Sequence, residues 1–230
     1  MKRLVQPELL DYLSSADPQA ARSRRDLRRV NAWMGNHSLM AATLQKEFQP
    51  PPPGHTPHLT ELGAGDGHFL LRVAQKLTPP WPAAKATLID LQKNVSPETL
   101  VAFKKLNWHA AASVTNVFAW PQTESDVVIA NLFLHHFETA QLADLLQIIS
   151  QRAKLFIAIE PRRAPWPLFC SGWLWAIGCN AVTRHDASIS VRAGFTGNEL
   201  SALWPQPAGW QFTEQPAGPF SHLFIARKTG

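Results

Sequence analysis

Cysteine is scarce in this chain of 230 residues: Cys170 and Cys179 are the two present, which suggests neither a disulfide framework nor a zinc site. No metal site is expected. Charged residues are sparse at 17%, against 45% hydrophobic, a slightly charge-poor balance for a globular chain able to bury a substantial core. Long apolar runs are missing too. The N-terminus lacks the apolar core of a signal peptide. The most apolar segment, 166–179, falls short of the roughly 20 residues that cross a bilayer. Pro167, Gly172 and Gly178 interrupt it further. A cytoplasmic location is expected, and no internal repeat is visible. What the chain has in excess is 19 prolines and 9 tryptophans. The prolines gather at 50–53, 79–82 and 161–167, which read as rigid connectors.

The most informative stretch is 59–67, Leu-Thr-Glu-Leu-Gly-Ala-Gly-Asp-Gly. An apolar run meets an acid, Glu61, and then glycines at every second position: Gly63, Gly65 and Gly67. A helical pattern follows at 68–77. This is a strand turning sharply into a helix, where side chains would block a ligand's approach to the backbone. A dinucleotide-binding turn would be spaced G-x-G-x-x-G. The position of its last glycine holds His68, so a nicotinamide-dependent oxidoreductase is disfavoured.

The segments that follow continue the pattern. Residues 85–91 form a short apolar run carrying Asp90 near its end, where an acid hydrogen-bonds ribose hydroxyls in doubly wound sheets. A β-rich stretch at 110–114 leads to Asn116. A fourth strand, Ser-Asp-Val-Val-Ile-Ala-Asn, covers 125–131 and is followed by Leu-Phe-Leu-His-His-Phe. Residues 139–152 are a helix by period, with Leu142, Leu145, Leu146 and Ile149 on one face. Residues 153–159 are a fifth strand. Residues 196–204 read as a helix opened by Thr196 with Glu199 three positions on. Residues 210–214 and 222–227 look like a closing antiparallel pair. Alternating strands and helices over 58–161 imply a parallel sheet with right-handed crossovers. The division expected is a helical extension and Pro-rich linker over 1–57, then one domain over 58–230 with an apolar insertion at 162–195.

This order of glycine turn, ribose acid, polar residue and D-V-V-I strand resembles the class I S-adenosylmethionine (SAM) methyltransferases over roughly 58–161. The resemblance implies a Rossmann-like α/β fold with a mostly parallel seven-stranded sheet, N-terminal helices and a helical insertion after strand five. It implies SAM as cofactor, packed on Glu61, Gly63, Ala64, Gly65 and Gly67, with Asp90 on the ribose. The family usually carries an Asp near Asn116 for the adenine amino group; Asn can also accept through its carbonyl oxygen. Asn131 completes the expected cofactor set. Short segments, Asp-Leu-Arg-Arg-Val-Asn at 26–31, the run at 131–137, and Arg-His-Asp at 184–186 with 190–196, are similar to compact bacterial members that accompany polyketide synthases and act on small phenolic products.

Three polar clusters are candidates for the chemistry. His135 and His136 follow strand four, where ligands bind in open α/β sheets, and either could take a proton from an acceptor hydroxyl. The alternative is a packing or capping histidine. Adjacent residues point in different directions, so one of the two is expected to face the acceptor. His185 beside Asp186 could be a base with an orienting carboxylate; the alternative is a turn. Arg184 is a candidate for binding the acceptor. Glu160, Arg162 and Arg163 form the third cluster, whose arginines could bind an acidic substrate or pair with nearby carboxylates. The insertion could wall an acceptor pocket through Trp173 and Trp175, which offer flat faces for stacking, or simply cover the sheet.

The net charge of +5 is concentrated in Arg22, Arg24, Arg25, Arg28 and Arg29. An anionic partner is one reading. Without aromatic interleaving, a solvated helix face is favoured over nucleic acid, with one arginine free to turn toward the SAM carboxylate. No nucleic-acid partner is expected; a weak membrane-surface contact remains compatible. The expected activity is O-methylation of a small apolar aromatic molecule. The alternatives are a methyltransferase acting on a macromolecule and a non-catalytic SAM-binding subunit. Against nucleic-acid amino-methylation stands Asn131-Leu-Phe-Leu, where that class often has Asn-Pro-Pro-Tyr.

Overall fold

Seven strands form one sheet in the computed structural model of the chain, which describes residues 1–14, 17–48, 54–121 and 123–229. They are β1 His58–Leu62, β2 Ala84–Asp90, β3 Trp108–Val114, β4 Ser125–Asn131, β5 Ala153–Pro161, β6 Trp210–Ala217 and β7 Ser221–Lys228. Their order across the sheet is β3-β2-β1-β4-β5-β7-β6. The first five run parallel, and β7 lies antiparallel between β5 and β6. Strand β1 is flanked by β2 on one side and β4 on the other, so the chain winds away from it in both directions. A crevice opens at such a point, outside the carboxyl ends of the strands.

The central strands are apolar on both faces because helices cover both. Along β4, Val127 and Ile129 point into one core, and Val128 and Ala130 into the other. This is the period-two alternation of a pleated strand. The first core is closed by Met40 and Leu44 of α3 (Asn36–Glu47), Leu70 and Val73 of α4 (His68–Lys76), and Phe103 of α5 (Pro97–Lys105). The second is closed by Leu142, Leu145, Leu146 and Ile149 of α6 (Thr139–Arg152) and Leu200 of α9 (Glu199–Leu203). Both β6 and β7 extend beyond the expected pair. Helix α9 begins at Glu199 with Asn198 as its cap, and Thr196 stays outside it. The Thr196 N–H still donates to Glu199 Oε2 at 3.1 Å, half of the expected capping box.

Among the described residues, three helices precede β1: α1 (Leu9–Tyr12), α2 (Pro18–Met34) and α3. Asp17 caps α2 by accepting from Gln19 N, with Pro18 at the first helical position. Gly35, at φ 74°, ends α2 in the left-handed region and turns the chain into α3. The prolines at 50–53 lie outside the described residues.

The insertion between β5 and β6 comprises α7 (Pro165–Ser171), a 3-10 turn (Leu174–Ile177) and α8 (Ala181–Ala193). The Asn180 side chain accepts from Thr183 N and starts α8, so 183–186 is helix where a turn was a standing alternative. Among the described residues, no helix is long and apolar enough to cross a membrane.

Candidate active site

A cavity of about 640 Å³ occupies the crevice at the carboxyl ends of β1, β2 and β4. Its floor is the glycine turn, Asp90 and the 131–137 segment; α2, α7 and α8 roof it. Helix α2 contributes Leu27, Arg28, Val30 and Asn31, and the insertion contributes Pro167, Cys170, Ser171 and Leu174.

The three glycines of the turn all have positive φ: 65° at Gly63, 56° at Gly65 and 73° at Gly67. Their surroundings differ. A Cβ on Gly63 would collide with the Phe133 ring, and one on Gly67 would stand 2.8 Å from Leu88. A Cβ on Gly65 would meet nothing within 4 Å, because that face of the turn is open cavity. Gly63 and Gly67 thus serve packing, and Gly65 keeps the ligand face bare. Asp90 holds the turn from β2. Its Oδ2 accepts from Gly65 N and its Oδ1 from Gln92 N, each at 2.8 Å. A carboxylate offers about four lone-pair positions, so two remain.

Glu61 lines the same wall almost fully buried, and its Oε2 has no hydrogen-bond partner. Burial, then the charges of Asp66 and Asp90, push its carboxyl well above the usual range. Asn116 also lines the cavity, but its carbonyl oxygen accepts from Phe118 N at 3.0 Å and caps a short 3-10 turn. Asn131 belongs to a clasp. Its Nδ2 donates to Asn31 Oδ1 at 3.0 Å, its Oδ1 accepts from Asn36 at 3.2 Å, and Ser221 donates to Asn36 at 2.8 Å. Of the arginine run, Arg24 and Arg28 reach the cavity, Arg28 pairing with Asp66 at 3.0 Å; Arg22, Arg25 and Arg29 stay exposed.

The opposite wall is built around the 3-10 turn Leu134–His136. Leu132, at φ 51°, bends the chain out of β4 into it. Glu160, fully buried at the end of β5, holds the turn. Its Oε1 accepts from Phe133 N and Leu134 N, and its Oε2 lies 2.8 Å from His135 Nδ1. Glu8, just before α1, closes the cluster. Its Oε1 is 3.3 Å from His135 Nε2, and its Oε2 is 3.4 Å from His136 Nε2. Ser190 donates to Glu8 as well. His136 Nδ1 donates to Phe133 O at 3.0 Å.

Burial alone would lower the His136 pKa and raise that of Glu8. The hydrogen bond and opposite charge between them overcome this, lifting His136 to about 9 and holding Glu8 well below its usual range. The two therefore form a carboxylate–imidazolium pair at neutral pH, which corrects the expectation of His136 as a neutral base. The donor atoms of Glu8, His135 and His136 lie within 4.8 Å of one another, close enough for one cation. A cation would first have to displace the His136 proton, which the raised pKa opposes.

Four other expected site residues lie elsewhere. Trp173 and Trp175 are more than half exposed and do not line the cavity. The 3-10 turn directs Leu174 inward and leaves its neighbours outside. Arg184 and His185 are exposed too, because α8 buries Val182, Thr183, Asp186 and Ile189, the 3–4 spacing of one helix face. Asp186 does reach the cavity. Its carboxylate accepts from Leu9 N at 2.8 Å and Leu10 N at 3.0 Å, fixing α1 and with it Glu8; His185 Nδ1 sits 3.0 Å from it on the outer side. Arg163 is buried against Glu199 and Gly194 O and serves packing. Sequence reading missed Glu8 and the pairing of Glu160 with His135. Glu160 itself was singled out by its position at the end of strand five, but not its partner; nothing local marks Glu8.

The sequence matches no family model and no curated protein. The structure is similar to that of the plantazolicin methyltransferase BpumL in complex with a monoazolic desmethylPZN analog and SAH, with TM-score 0.66, 15% identity, and 93% of this chain and 91% of that one covered. It is similar to magnesium protoporphyrin IX methyltransferase from Synechocystis PCC 6803 with bound SAM, with TM-score 0.54, 10% identity and 96% and 88% covered. It also resembles human N-acetylserotonin methyltransferase with SAM, with TM-score 0.54 and 19% identity; 92% of this chain spans 57% of that one. The chain thus has the Rossmann-like class I methyltransferase fold.

Proposed function

We propose that the chain is a SAM-dependent methyltransferase that methylates oxygen on a small, apolar, aromatic acceptor. The observation carrying the cofactor assignment is the unpartnered Oε2 of the Glu61 carboxyl, buried on the wall that also holds Gly65 and Asp90. A buried carboxyl oxygen left unpaired costs free energy unless a ligand supplies a donor or a positive charge. The cofactor's ammonium supplies both. Gly65 leaves the turn bare for it, and the spare lone pairs of Asp90 suit a ribose diol. Bound SAM supplies an electrophilic methyl group on a sulfonium. SAM binding should therefore drive Glu61 to ionise and release a proton. Calorimetry in buffers of different ionisation enthalpy reads this directly, and Glu61→Gln should abolish it. Proton release that persists in Glu61→Gln would remove the assignment.

The rest of the cavity is suited to an apolar ring with one polar group. Leu10, Leu27, Val30, Phe133, Phe137 and Leu174 supply the apolar walls. The chain's own residues align and desolvate the acceptor, which accounts for most of the rate. His135, oriented by Glu160 through Nδ1, takes the hydroxyl proton at Nε2 once the acceptor oxygen has displaced Glu8 Oε1, which stands 3.3 Å from that atom. The His136 imidazolium, kept charged by Glu8, stabilises the negative charge building on the acceptor oxygen. General-base help of this kind is worth about 10²–10⁴-fold. Incubating small aromatic extracts with the protein and deuteriomethyl-SAM should yield a product carrying the labelled methyl. His135→Asn should slow that turnover, and less so at alkaline pH, where a phenol ionises unaided. SAM binding with no labelled product from any extract would favour the non-catalytic alternative.

A further inference from the structure

The outer face of the insertion is its least expected feature. Trp166, Phe169, Trp173 and Trp175 are each more than half exposed. They form a continuous ladder, with ring centroids 5.9 Å apart for Trp166–Phe169, 6.2 Å for Phe169–Trp173 and 6.0 Å for Trp173–Trp175. Ile177, also exposed, ends the row. A soluble surface seldom leaves such a contiguous apolar strip uncovered. The segment's inner side, at Cys170, Ser171 and Leu174, walls the cavity. One short segment therefore has an acceptor face and an unexplained aromatic face.

Beside the ladder runs a row of cations. Arg22, Arg25 and Arg29 are exposed on α2 at a spacing of three and four, which places them on one helix face. Arg29 donates to Ile177 O, so the arginine row abuts the aromatic ladder. The net charge of +5 has its greatest local density here.

We infer that this aromatic ladder and its arginine rim dock the protein on an anionic lipid bilayer. Tryptophan suits the water–lipid boundary because its ring is apolar and its N–H is polar. Arginines next to it meet the negative headgroups, as on interfacial segments generally. A second copy of the chain is the weaker occupant, since an isologous contact would bring the same arginines face to face. Docking would set the outer face of the cavity wall against the bilayer, where apolar acceptors dissolve. The inference concerns this surface and stands apart from the methyl-transfer reading.

Co-sedimentation with phosphatidylcholine vesicles, with and without phosphatidylglycerol, tests it. Binding is expected to the phosphatidylglycerol-containing vesicles and to fall with added salt. Arg22→Ala with Arg25→Ala should weaken it about 25-fold, at about fivefold per arginine. The lysine versions of both should retain it. Trp173→Ser with Trp175→Ser should weaken it about tenfold or more. These exposed changes should leave the thermal transition and SAM affinity unaltered. The inference is overturned if the wild-type protein ignores anionic vesicles, if both vesicle types bind equally, or if the tryptophan pair makes no difference. It is also overturned if vesicles do not bind and the same substitutions instead dissolve a dimer or release an acidic protein.

Discussion

The wall formed by Glu61, the glycine turn and Asp90 comes from two adjacent strands and the loops that leave them, about thirty residues of chain. The wall formed by Glu8, His135, Glu160 and Asp186 draws on four segments, with 178 positions between its first and last member. The first is held by backbone: Asp90 accepts from two main-chain N–H groups, and positive φ at glycine shapes the turn. The second is held by side-chain ionisation: a carboxylate and an imidazolium exist in their charged forms because of each other. A backbone-built wall depends on local sequence and keeps its shape as pH changes, even though its Glu61 carboxyl titrates when a ligand binds. A charge-built wall depends on the whole fold and on proton concentration.

The sharpest way to break this contrast is Glu8→Ala. It leaves His136 without its counter-charge and should cost about 3–5 kcal/mol of stability at neutral pH, measured by denaturant unfolding. A loss below about 1 kcal/mol would mean that the second wall is not held by the pair.

Titration gives the next effect in size. The folded His136 pKa of about 9 lies above the unfolded value of about 6.5. Its stabilisation is therefore complete below the unfolded value and is lost as pH rises through about 9, an effect of about 2–3 kcal/mol. His37, which also lines the cavity, has the opposite sign. Burial, then Lys76 and Arg72, lower its pKa to about 4. Its contribution is present above the unfolded value and lost as pH falls through about 4. Unfolding free energy against pH should peak near neutrality, and Glu8→Ala should flatten the alkaline limb and remove the share of the acid limb that comes from Glu8 itself. An unchanged alkaline limb in that variant would contradict the pairing.

On the backbone-built side, Asp90→Ala should weaken SAM binding by about 1.5–3 kcal/mol in calorimetry, an increment with little dependence on pH near neutrality, while SAM affinity itself rises with pH as Glu61 ionises. A strong pH dependence of that increment would erase the distinction between the two walls. The smallest effect is expected outside both. Trp173→Ala and Trp175→Ala should change stability by less than about 0.5 kcal/mol and leave SAM affinity unaltered. A clear loss of SAM affinity would place these rings against the cavity after all.

Some features were legible because their causes are local. The limits of α6 follow from a period of 3.6 in its apolar residues and those of β4 from a short apolar run bounded by polar residues, and the structure has the same limits, Thr139–Arg152 and Ser125–Asn131. The strand, glycine turn and acid were legible because the turn must adopt positive φ within a few residues of the strand. The insertion was misread in orientation. Its apolar residues surround most of the helix, so no hydrophobic stripe shows which side faces inward. Tryptophan was taken as the pocket wall, whereas Cys170, Ser171 and Leu174 form it.

The sequence by itself determined the sheet, the glycine turn and the placement of Asp90 beside it, since each rests on periodicity or on backbone conformations that one or two residue types permit. Tertiary structure alone decided which ionisable groups meet. Glu8 lies 127 positions from His135, and no local pattern records that Asp186 anchors α1 and so brings Glu8 to both histidines. The protonation of His136 was likewise beyond the sequence, because it is set by the burial and charge of groups that become neighbours only when the chain has folded.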